Sequence, residues 1–471
     1  MAIKTQPYTD YRPVNLNFTK KIPSDWIVKR AKFFFKEISE RSIKGEEQLL
    51  SVSEHKGIVP RDSINVTMFQ ALSYEGYKLC NKGDIVINSL WAWHRGLGVS
   101  EYHGIVSTAY GVYRPLKPAQ WNHRYLNYLL RDKAYVGECL IRSKGIWESR
   151  YQLTGSNFLD IPIIKPPLEV QNSIVEYLDK KNSEIEKFIR NKERLIEILE
   201  DQKKSEITRI IVEGVEGNEA LKELDQTDIP YMPFKNKSSE IKRLKYLASL
   251  KGRIGFHGLK TSDFTNEGPF LITGTDFIEG RINWDTSVHI TMKRYKENPY
   301  IQLKEGDFLI TKDGTIGKTA IVDNLPYEAS LNSGVMLVRS LRGEFLNKYL
   351  FWIINSRIFD EFVEITKTGS TVMHLYQHSF GNFKIPIPDL NTQGLIVQEI
   401  ELVISKLNSA ISKAQKEIAA IKEYREALIT DLVTGKKQVP STYSVGVAEE
   451  NILCAAEEGA TYNADNDKQQ A

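Results

Sequence analysis

Residues 161–171 read IPIIKPPLEVQ, and they lie between a mixed, globular-type sequence and a long run with helical periodicity. Proline fixes φ and lacks a backbone N–H, so it disfavours the interior of a helix or a central strand. The segment therefore ends a globular region, and a long run with helical periodicity follows it. Residues 385–391, IPIPDLN, introduce a second such run 224 positions later. The two junctions predict one unit that occurs twice.

The repeat extends well beyond these junctions. Residues 82–87 (KGDIVI) match 305–310 (EGDFLI), and residues 107–114 (STAYGVYR) match 332–339 (NSGVMLVR). Further matches join residues 124–126 with 348–350, Gly145 with Gly369, and residues 211–214 with 432–435. Together with the junctions, the matches keep one order, and their offsets stay between 221 and 225. Duplication explains this better than chance recurrence of strand-forming dipeptides.

Each copy has a globular part and a long helix. Short apolar runs at 84–87 and 308–311 stand beside Gly-Asp turns, as in buried strands, and residues 121–130 and 346–354 have helical patterns. The long helices are predicted over residues 168–212 and 392–433. Gly214 and Gly435 lie just past their ends, where a left-handed cap is favoured.

The long helices carry heptad patterns. The second has apolar residues at three- and four-residue spacing, interrupted by Arg425: Ile400, Ile404, Leu407, Ile411, Ala414, Ile418, Ile421, Leu428 and Leu432. The first has Leu178, Ile185, Ile189, Ile196, Leu199 and Ile210 on a similar stripe. Sustained heptads require a helical partner, and about 40 helical residues span roughly 60 Å. A helical hairpin inside a core is the alternative; the charged remaining faces favour a projecting coiled coil.

Composition and charge narrow the functional class. The 471 residues are 41% hydrophobic and 26% charged, as in a globular protein, and no run of about 18 apolar residues or secretion-signal core occurs. Three scattered cysteines argue against a disulfide framework and a zinc site. The net charge of +3 combines a tail of −5 from residue 440 onward with a body of about +8. We expect a cytoplasmic protein whose basic body suits a polyanion.

Several motifs carry a family resemblance. They are residues 22–26 (IPSDW), 153–158 (LTGSNF), the junction at 161–171, and 171–175 (QNSIV), which fits the pattern Q-x-x-I-V. These resemble the start of the first target recognition domain, and its junction with the first conserved helix, in the specificity subunits of type I restriction–modification systems. The second copy has Ile396-Val397-Gln398 but departs from the pattern. It lacks the double proline, has Gln393 where a Glu-Gln pair is usual, and starts at 240–244 without the Pro…Trp pair.

The resemblance implies a mixed α/β fold with an internal pseudo-two-fold repeat. Two globular α/β target recognition domains would be separated by two long antiparallel helices that form a coiled coil. The predicted segments are 1–167 (target recognition domain 1), 168–214 (long helix 1), 215–388 (target recognition domain 2 with a leading linker), 389–437 (long helix 2) and 438–471 (an acidic tail).

The resemblance also implies a function without catalysis. Each globular domain would read half of a bipartite site in double-stranded DNA. The helices would dock two methyltransferase subunits, and two motor-nuclease subunits would join the complex. S-adenosylmethionine would then bind the methyltransferase partner, ATP and magnesium the motor-nuclease partner, and no cofactor this chain. The setting would be the bacterial or archaeal cytoplasm.

Catalytic signatures in the chain are incomplete. Residues 312–319 (KDGTIGKT) resemble the end of a phosphate-binding loop but lack its first glycine, and the next residues have a strand pattern instead of a helical one. Residues 297–300 (ENPY) lack one proline of an amino-methyltransferase motif. His374 and His378 have metal-binding spacing but no acidic or cysteine partner nearby.

Candidate DNA contacts fall in loops at matching places of the repeat. One pair is 88–98 and 311–318, another is 142–150 and 367–374, and a basic cluster at 251–260 occurs only in the second copy. The candidate residues are Asn88, Arg95, Arg142, Lys144, Arg150, Lys251, Arg253, Lys260, Lys312, Lys318, Lys367, Thr368, Ser370, Thr371 and His374. Such side chains reach base edges or phosphates. Trp91 and Trp93 suit base stacking and a protein core equally.

The copies diverge most in these loops, which predicts an asymmetric recognition sequence. Two other functional classes stay open. A stand-alone restriction or modification enzyme would methylate or cut DNA without a partner. A coiled-coil scaffold would show no sequence preference and little salt dependence in DNA binding.

Overall fold

A computed structural model describes residues 5–64, 73–145, 151–215, 223–253, 259–366 and 374–440. The chain divides into two compact units. Unit 1 combines residues 1–190 with 417–471, and unit 2 is residues 191–416. These units cut across the five segments predicted from the sequence, because each half of a long helix packs with the globular part of its own unit. No helix within the described ranges has the length and apolar character needed to cross a bilayer.

Unit 1 contains short strands and helices that precede the first long helix. Its strands are β1 (Tyr11–Pro13), β2 (Lys21–Pro23), β3 (Ile27–Arg30), β4 (Phe35–Glu37), β5 (Leu50–Ser53), β6 (Gly57–Pro60), β7 (Lys78–Cys80), β8 (Ile85–Asn88), β9 (Leu97–Val99), β10 (Gly104–Val106), β11 (Tyr110–Pro115) and β12 (Pro162–Lys165). Its helices are α1 (His123–Arg131), α2 (Lys133–Arg142), α3 (Gly155–Leu159) and the first part of α4 (Leu168–Glu213).

Unit 2 has the same kinds of elements. Its strands are β13 (Leu224–Ile229), β14 (Met232–Asn236), β15 (Glu240–Arg243), β16 (Ala248–Gly252), β17 (Phe264–Ile272), β18 (Phe277–Ile278), β19 (Arg281–Ile282), β20 (Val288–Ile290), β21 (Phe308–Thr311), β22 (Thr319–Ile321), β23 (Ala329–Leu331), β24 (Val335–Ser340) and β25 (Lys384–Ile387). Its helices are α5 (Leu244–Leu247), α6 (Met292–Lys296), α7 (Asn347–Ile354), α8 (Arg357–Thr366), α9 (Gln377–Gly381) and the first part of α10 (Leu390–Val433).

A four-stranded antiparallel sheet forms the frame of each unit. Its strand order is β4-β11-β8-β9 in unit 1 and β16-β24-β21-β22 in unit 2. The strands after the Gly-Asp turns, β8 and β21, are central, and Ile85–Ile87 and Phe308–Ile310 are buried. The repeated sequence motifs therefore encode the same central strands twice, as the sequence predicted.

A repeated glutamine fixes each junction into a long helix. The side chain of Gln171 is fully buried, donates to Pro166 O (2.9 Å) and accepts from Asn122 N (2.9 Å). Gln393 makes the equivalent bonds to Pro388 O (2.8 Å) and Leu346 N (2.9 Å). The second junction lacks the double proline and the Glu-Gln pair, yet it makes the same hydrogen bonds as the first junction.

The long helices pack in an antiparallel manner within each unit. In unit 1, Ile174 and Leu178 near the start of α4 share a core with Leu428 and Leu432 near the end of α10. In unit 2, the last turns of α4 share a core with the first turns of α10, through Ile207, Ile211, Ile396 and Ile400. Gly214 and Gly435 follow the helices with positive φ. The mixed α/β fold class with paired long helices is confirmed.

The Pro…Trp pair of unit 1 packs against the end of α10. Trp26 is buried in the unit 1 core, and a Cβ on Gly435 would lie 2.6 Å from Pro23 Cδ and 3.0 Å from Trp26 Cζ3. Unit 2 places Ser239 where unit 1 has Trp26, because β15 and β3 align through their partners β25 and β12. The second copy therefore has a small residue, and no tryptophan, at this position of its frame.

Candidate DNA interface

The first pair of candidate loops lies at one end of each four-stranded sheet. Loop 88–98 follows β8, whose last residue, Asn88, is paired with Tyr110 at the start of β11. Loop 311–318 follows β21, whose last residue, Thr311, is paired with Val335 at the start of β24. The repeated frame therefore presents these loops in equivalent positions.

Loop 88–98 has a backbone held by local hydrogen bonds. Asn88 Oδ1 accepts from Leu90 N (3.2 Å), and Trp93 Nε1 donates to Leu90 O (2.9 Å). Gly96 has no room for a side chain, because a Cβ there would lie 2.5 Å from Trp91 O. The loop displays Trp91, which is 54% exposed, with its ring stacked at 11° on the ring of Trp93. An exposed tryptophan on a fixed loop is available for stacking on a base.

Arg95 lies on the helix side of this loop. Its guanidinium forms an ion pair with Glu426 of α10, and its carbonyl accepts a hydrogen bond from Arg131 (3.1 Å). Arg131 also donates to Leu97 O (2.7 Å), and burial lowers the pKa of its guanidinium to about 10, so it stays charged at neutral pH. A cleft of about 280 Å³ is lined by Arg95, Arg131 and Glu426, together with Arg425, the polar residue that interrupts the heptads.

The second loop of unit 1 is joined to the first by a backbone hydrogen bond from Leu153 N to Ser89 O (2.9 Å). Arg142, at the end of α2, pairs with the buried Glu138. Lys144 is exposed, and its backbone pairs with that of Gln152 at 3.0 Å in both directions. Arg150 lies outside the described residues.

Unit 2 joins its two loops in the same way. Leu375 N donates to Lys312 O (2.8 Å), at the position equivalent to the bond between Leu153 and Ser89. The imidazole of His374 pairs with the carboxylate of Asp313, so a side-chain contact reinforces the junction. Lys312 is half-buried, and Lys318 is exposed. Four further candidates lie outside the described residues: Lys367, Thr368, Ser370 and Thr371.

The basic cluster at 251–260 adjoins loop 311–318, since a Cβ on Gly252 would lie 3.7 Å from Lys312 Cε. Lys251 and Lys260 are exposed. Arg253 is only 4% exposed, and its guanidinium donates to Leu331 O (2.8 Å) and Ser330 Oγ (3.2 Å). Burial lowers the pKa of this guanidinium. Its side chain therefore ties β16 to β23, away from solvent.

Comparisons with known proteins agree with this architecture. Residues 236–423 match the family model of the type I restriction modification DNA specificity domain. The type I restriction enzyme MjaVIII specificity subunit of Methanocaldococcus jannaschii is 24% identical over 431 residues, which cover 89% of this chain and 94% of that protein. Residues 236–423 are thus similar to a DNA specificity domain, and most of the chain is similar to specificity subunits of type I restriction enzymes.

A solved structure shows a fold similar to that of this chain. It is described as the structural basis of complex assembly and conformational transition of the type I R-M system. The two chains superpose with a TM-score of 0.60 at 16% identity, covering 89% of this chain and 100% of the other. At this identity the likeness concerns the fold alone.

The incomplete catalytic motifs of the chain all lie in unit 2. Strand β22, and no helix, follows residues 312–318, as the sequence predicted. Asn298 is buried, and its Oδ1 accepts from Tyr300 Oη (3.0 Å). His374 precedes α9, which begins at Gln377, so His374 and His378 do not share a helix. Across the described ranges, no group of three His, Cys, Asp or Glu side chains is placed to hold a metal ion.

Three residues of the candidate interface, Asp313, Tyr376 and Arg131, are not indicated by any sequence motif. Asp313 meets His374 across 61 positions, and Tyr376, which is exposed, has its ring 4.6 Å from the imidazole of His374. Arg131 fixes loop 88–98 from helix α1. The repeat predicted that these loops occupy equivalent places, but only tertiary packing brings the side chains together.

Proposed function

We propose that this chain is the non-catalytic, DNA-reading specificity subunit of a type I restriction–modification complex, and that it recognises a bipartite, asymmetric site in double-stranded DNA. The observation that carries this proposal is the pairing of one repeated frame with two different loop sets. The four-stranded sheets, the junctions and the loop-to-loop backbone bonds are alike in the two units. The side chains that the loops display differ.

The difference between the loops supports two distinct half-sites. Unit 1 displays Trp91 in loop 88–98, whereas the equivalent loop of unit 2 displays Lys318 and the pair formed by Asp313 and His374. Base edges in the major groove are distinguished by the donors, acceptors and apolar groups that face them. Two loop sets with different chemistry therefore favour two different base sequences.

The exposed lysines suit contacts with the DNA backbone. Lys144 in unit 1, and Lys251, Lys260 and Lys318 in unit 2, lie in the candidate loops and are exposed. Phosphate contacts from such residues set the register of a protein on the duplex without reading its sequence. The charge of about +8 carried before residue 440 favours association with DNA in the same way.

The long helices are the proposed docking elements for two methyltransferase and two motor-nuclease subunits. In unit 2, α4 exposes Leu195 and Ile198, and α10 exposes Leu402. Apolar side chains on the outer face of a helix pair favour packing against further helices. The chemistry would reside on those partners, which bring S-adenosylmethionine, ATP and magnesium.

The test is to co-express the chain with the methyltransferase of its system and to map methylated bases across the genome. We expect one methylated motif with two unrelated halves and a fixed gap. The purified chain, incubated alone with S-adenosylmethionine, ATP, magnesium and DNA, should neither methylate nor cut. Turnover by the chain alone would support the stand-alone enzyme instead, and co-expression without sequence-specific methylation would contradict the proposal.

A further inference from the structure

Each unit exposes an aromatic side chain and a leucine at the same place in the repeat. In unit 1 these are Phe33, 59% exposed, and Leu116, 50% exposed. In unit 2 they are Tyr246, 63% exposed, and Leu341, 56% exposed. Large apolar side chains that reach solvent in equivalent positions of two copies point to a shared binding role.

The strand register shows that the positions are equivalent. Phe35 of β4 pairs with Pro115 of β11, and Ala248 of β16 pairs with Ser340 of β24. One further backbone bond continues each ladder: Leu116 N donates to Phe34 O (2.8 Å), and Leu341 N donates to Leu247 O (2.9 Å). The aromatic residue and the leucine are therefore neighbours on each frame, held by the same backbone geometry.

Basic side chains flank both pairs. Lys32 Nζ lies 5.9 Å from the ring centroid of Phe33, and Lys245 Nζ lies 5.2 Å from that of Tyr246. Lys117 and Arg342 directly follow the two leucines and are exposed. We call these groups the twin patches. The unit 1 patch is Lys32, Phe33, Leu116 and Lys117, and the unit 2 patch is Lys245, Tyr246, Leu341 and Arg342.

The twin patches lie at the sheet end opposite the candidate DNA loops. Strand β11 begins at Tyr110, opposite Asn88 and its loop, and ends at Pro115, just before Leu116. Strand β24 runs likewise from Val335, opposite Thr311, to Ser340. Six residues of strand span about 20 Å. The patches are thus separate from the loops, and they are alike where the loops differ.

We propose that each twin patch docks one copy of the same protein, the methyltransferase subunit, through an apolar pocket rimmed by acidic side chains. Two identical partners require two similar surfaces, whereas two different DNA half-sites require different ones. Aromatic anchors in a partner pocket dominate many protein interfaces, and the flanking lysines and arginine complement an acidic rim. This inference rests on the proposed function and adds a contact on the globular units to the one proposed for the long helices.

The test uses Phe33→Glu, Tyr246→Glu and the double variant in the full chain, each co-expressed with the methyltransferase. Native mass spectrometry counts methyltransferase copies per chain, and a titration gives the Kd. We expect two copies on the wild-type chain, and a Kd raised by about tenfold or more at the altered unit in each single variant. The double variant should weaken both. Ile43→Glu and Ile278→Glu, at exposed isoleucines outside the patches, should leave both copies bound.

A second test changes only the flanking basic residues and keeps the apolar side chains of the twin patches. Lys117→Glu and Arg342→Glu should each weaken one methyltransferase copy, because they oppose the acidic rim. Unchanged methyltransferase binding in the patch variants would overturn the inference while leaving the proposed function intact. Weakened DNA binding with full methyltransferase occupancy would also overturn it and assign the patches to nucleic acid. A wild-type chain that binds no methyltransferase would contradict the proposed function as well.

Discussion

Arg114 donates two hydrogen bonds to the carboxylate of Asp84, from Nε to Oδ1 and from Nη2 to Oδ2, each 2.8 Å long. Arg339 makes the same bidentate contact with Asp307, with Nε 2.7 Å from Oδ1. Both carboxylates are buried. Each pair joins the Gly-Asp turn before the central strand to the far end of the neighbouring strand, so the two most similar motifs of the repeat encode one ion pair twice.

Breaking either pair should destabilise its own unit. Asp84→Asn removes the buried charge partner of Arg114 and leaves only the exposed Glu40, 3.4 Å from its guanidinium. The expected loss is about 3 kcal/mol in the free energy of unfolding. Asp307→Asn should do the same in unit 2. Urea unfolding followed by circular dichroism measures both. Asp62→Asn, at an exposed carboxylate of unit 1, is the control, and an unchanged midpoint in Asp84→Asn would refute the role of the pair.

The glutamine at each helix junction should be essential to stability. Gln393→Met keeps the volume but leaves Leu346 N and the carbonyls of Glu344 and Pro388 without their partner. We expect a loss of about 3 kcal/mol, roughly 1 kcal/mol for each buried polar group. The exposed Gln398, one turn further along α10, provides the control Gln398→Met. Equal unfolding midpoints for the two variants would contradict the prediction.

Lys318 should contact a DNA phosphate. Lys318→Ala is expected to weaken binding by the assembled complex to all sequences and to reduce the slope of log K against log salt by about 0.9. Fluorescence anisotropy across a salt series measures this slope. Lys304→Ala is the matched control, because Lys304 is exposed near the other end of the same strand, β21. Equal slopes for the two variants would remove Lys318 from the interface.

Trp91 should stack on a base in the half-site read by unit 1. Trp91→Ala is expected to weaken specific binding by about tenfold, since base stacking contributes about 1–3 kcal/mol, while Trp91→Phe retains most of it. The exposed side chain predicts little change in stability. Tyr102→Ala, at an exposed aromatic residue beyond β9, serves as the comparison. A tryptophan variant that binds DNA as tightly as the tyrosine variant would argue against stacking.

Local sequence patterns predicted the repeated strands, junctions and long helices, whereas the burial and the partners of individual loop residues depend on long-range packing. The prolines at the junctions, the heptads and the Gly-Asp strands act within a few residues, so their patterns were readable. Arg253 looked like a DNA contact because its neighbours are basic, yet it is buried against Ser330 and Leu331, 77 and 78 positions away. The contact between Asp313 and His374 also depends on packing between distant segments. Such contacts leave no periodic trace in a single sequence.

We propose that the repeated frame carries two interchangeable DNA-reading domains. The strand pairings define the exchange: Ile27 pairs with Lys165 in unit 1, and Glu240 pairs with Ile387 in unit 2. Replacing residues 240–387 with a copy of 27–165 should give a chain that still assembles with the methyltransferase. Genome-wide mapping of methylated bases should then show a palindromic motif, in which each strand carries the half-site that unit 1 reads, because a pseudo-two-fold repeat with identical readers matches inverted half-sites. An assembled hybrid that methylates the wild-type motif, or a motif with unrelated halves, would contradict the account.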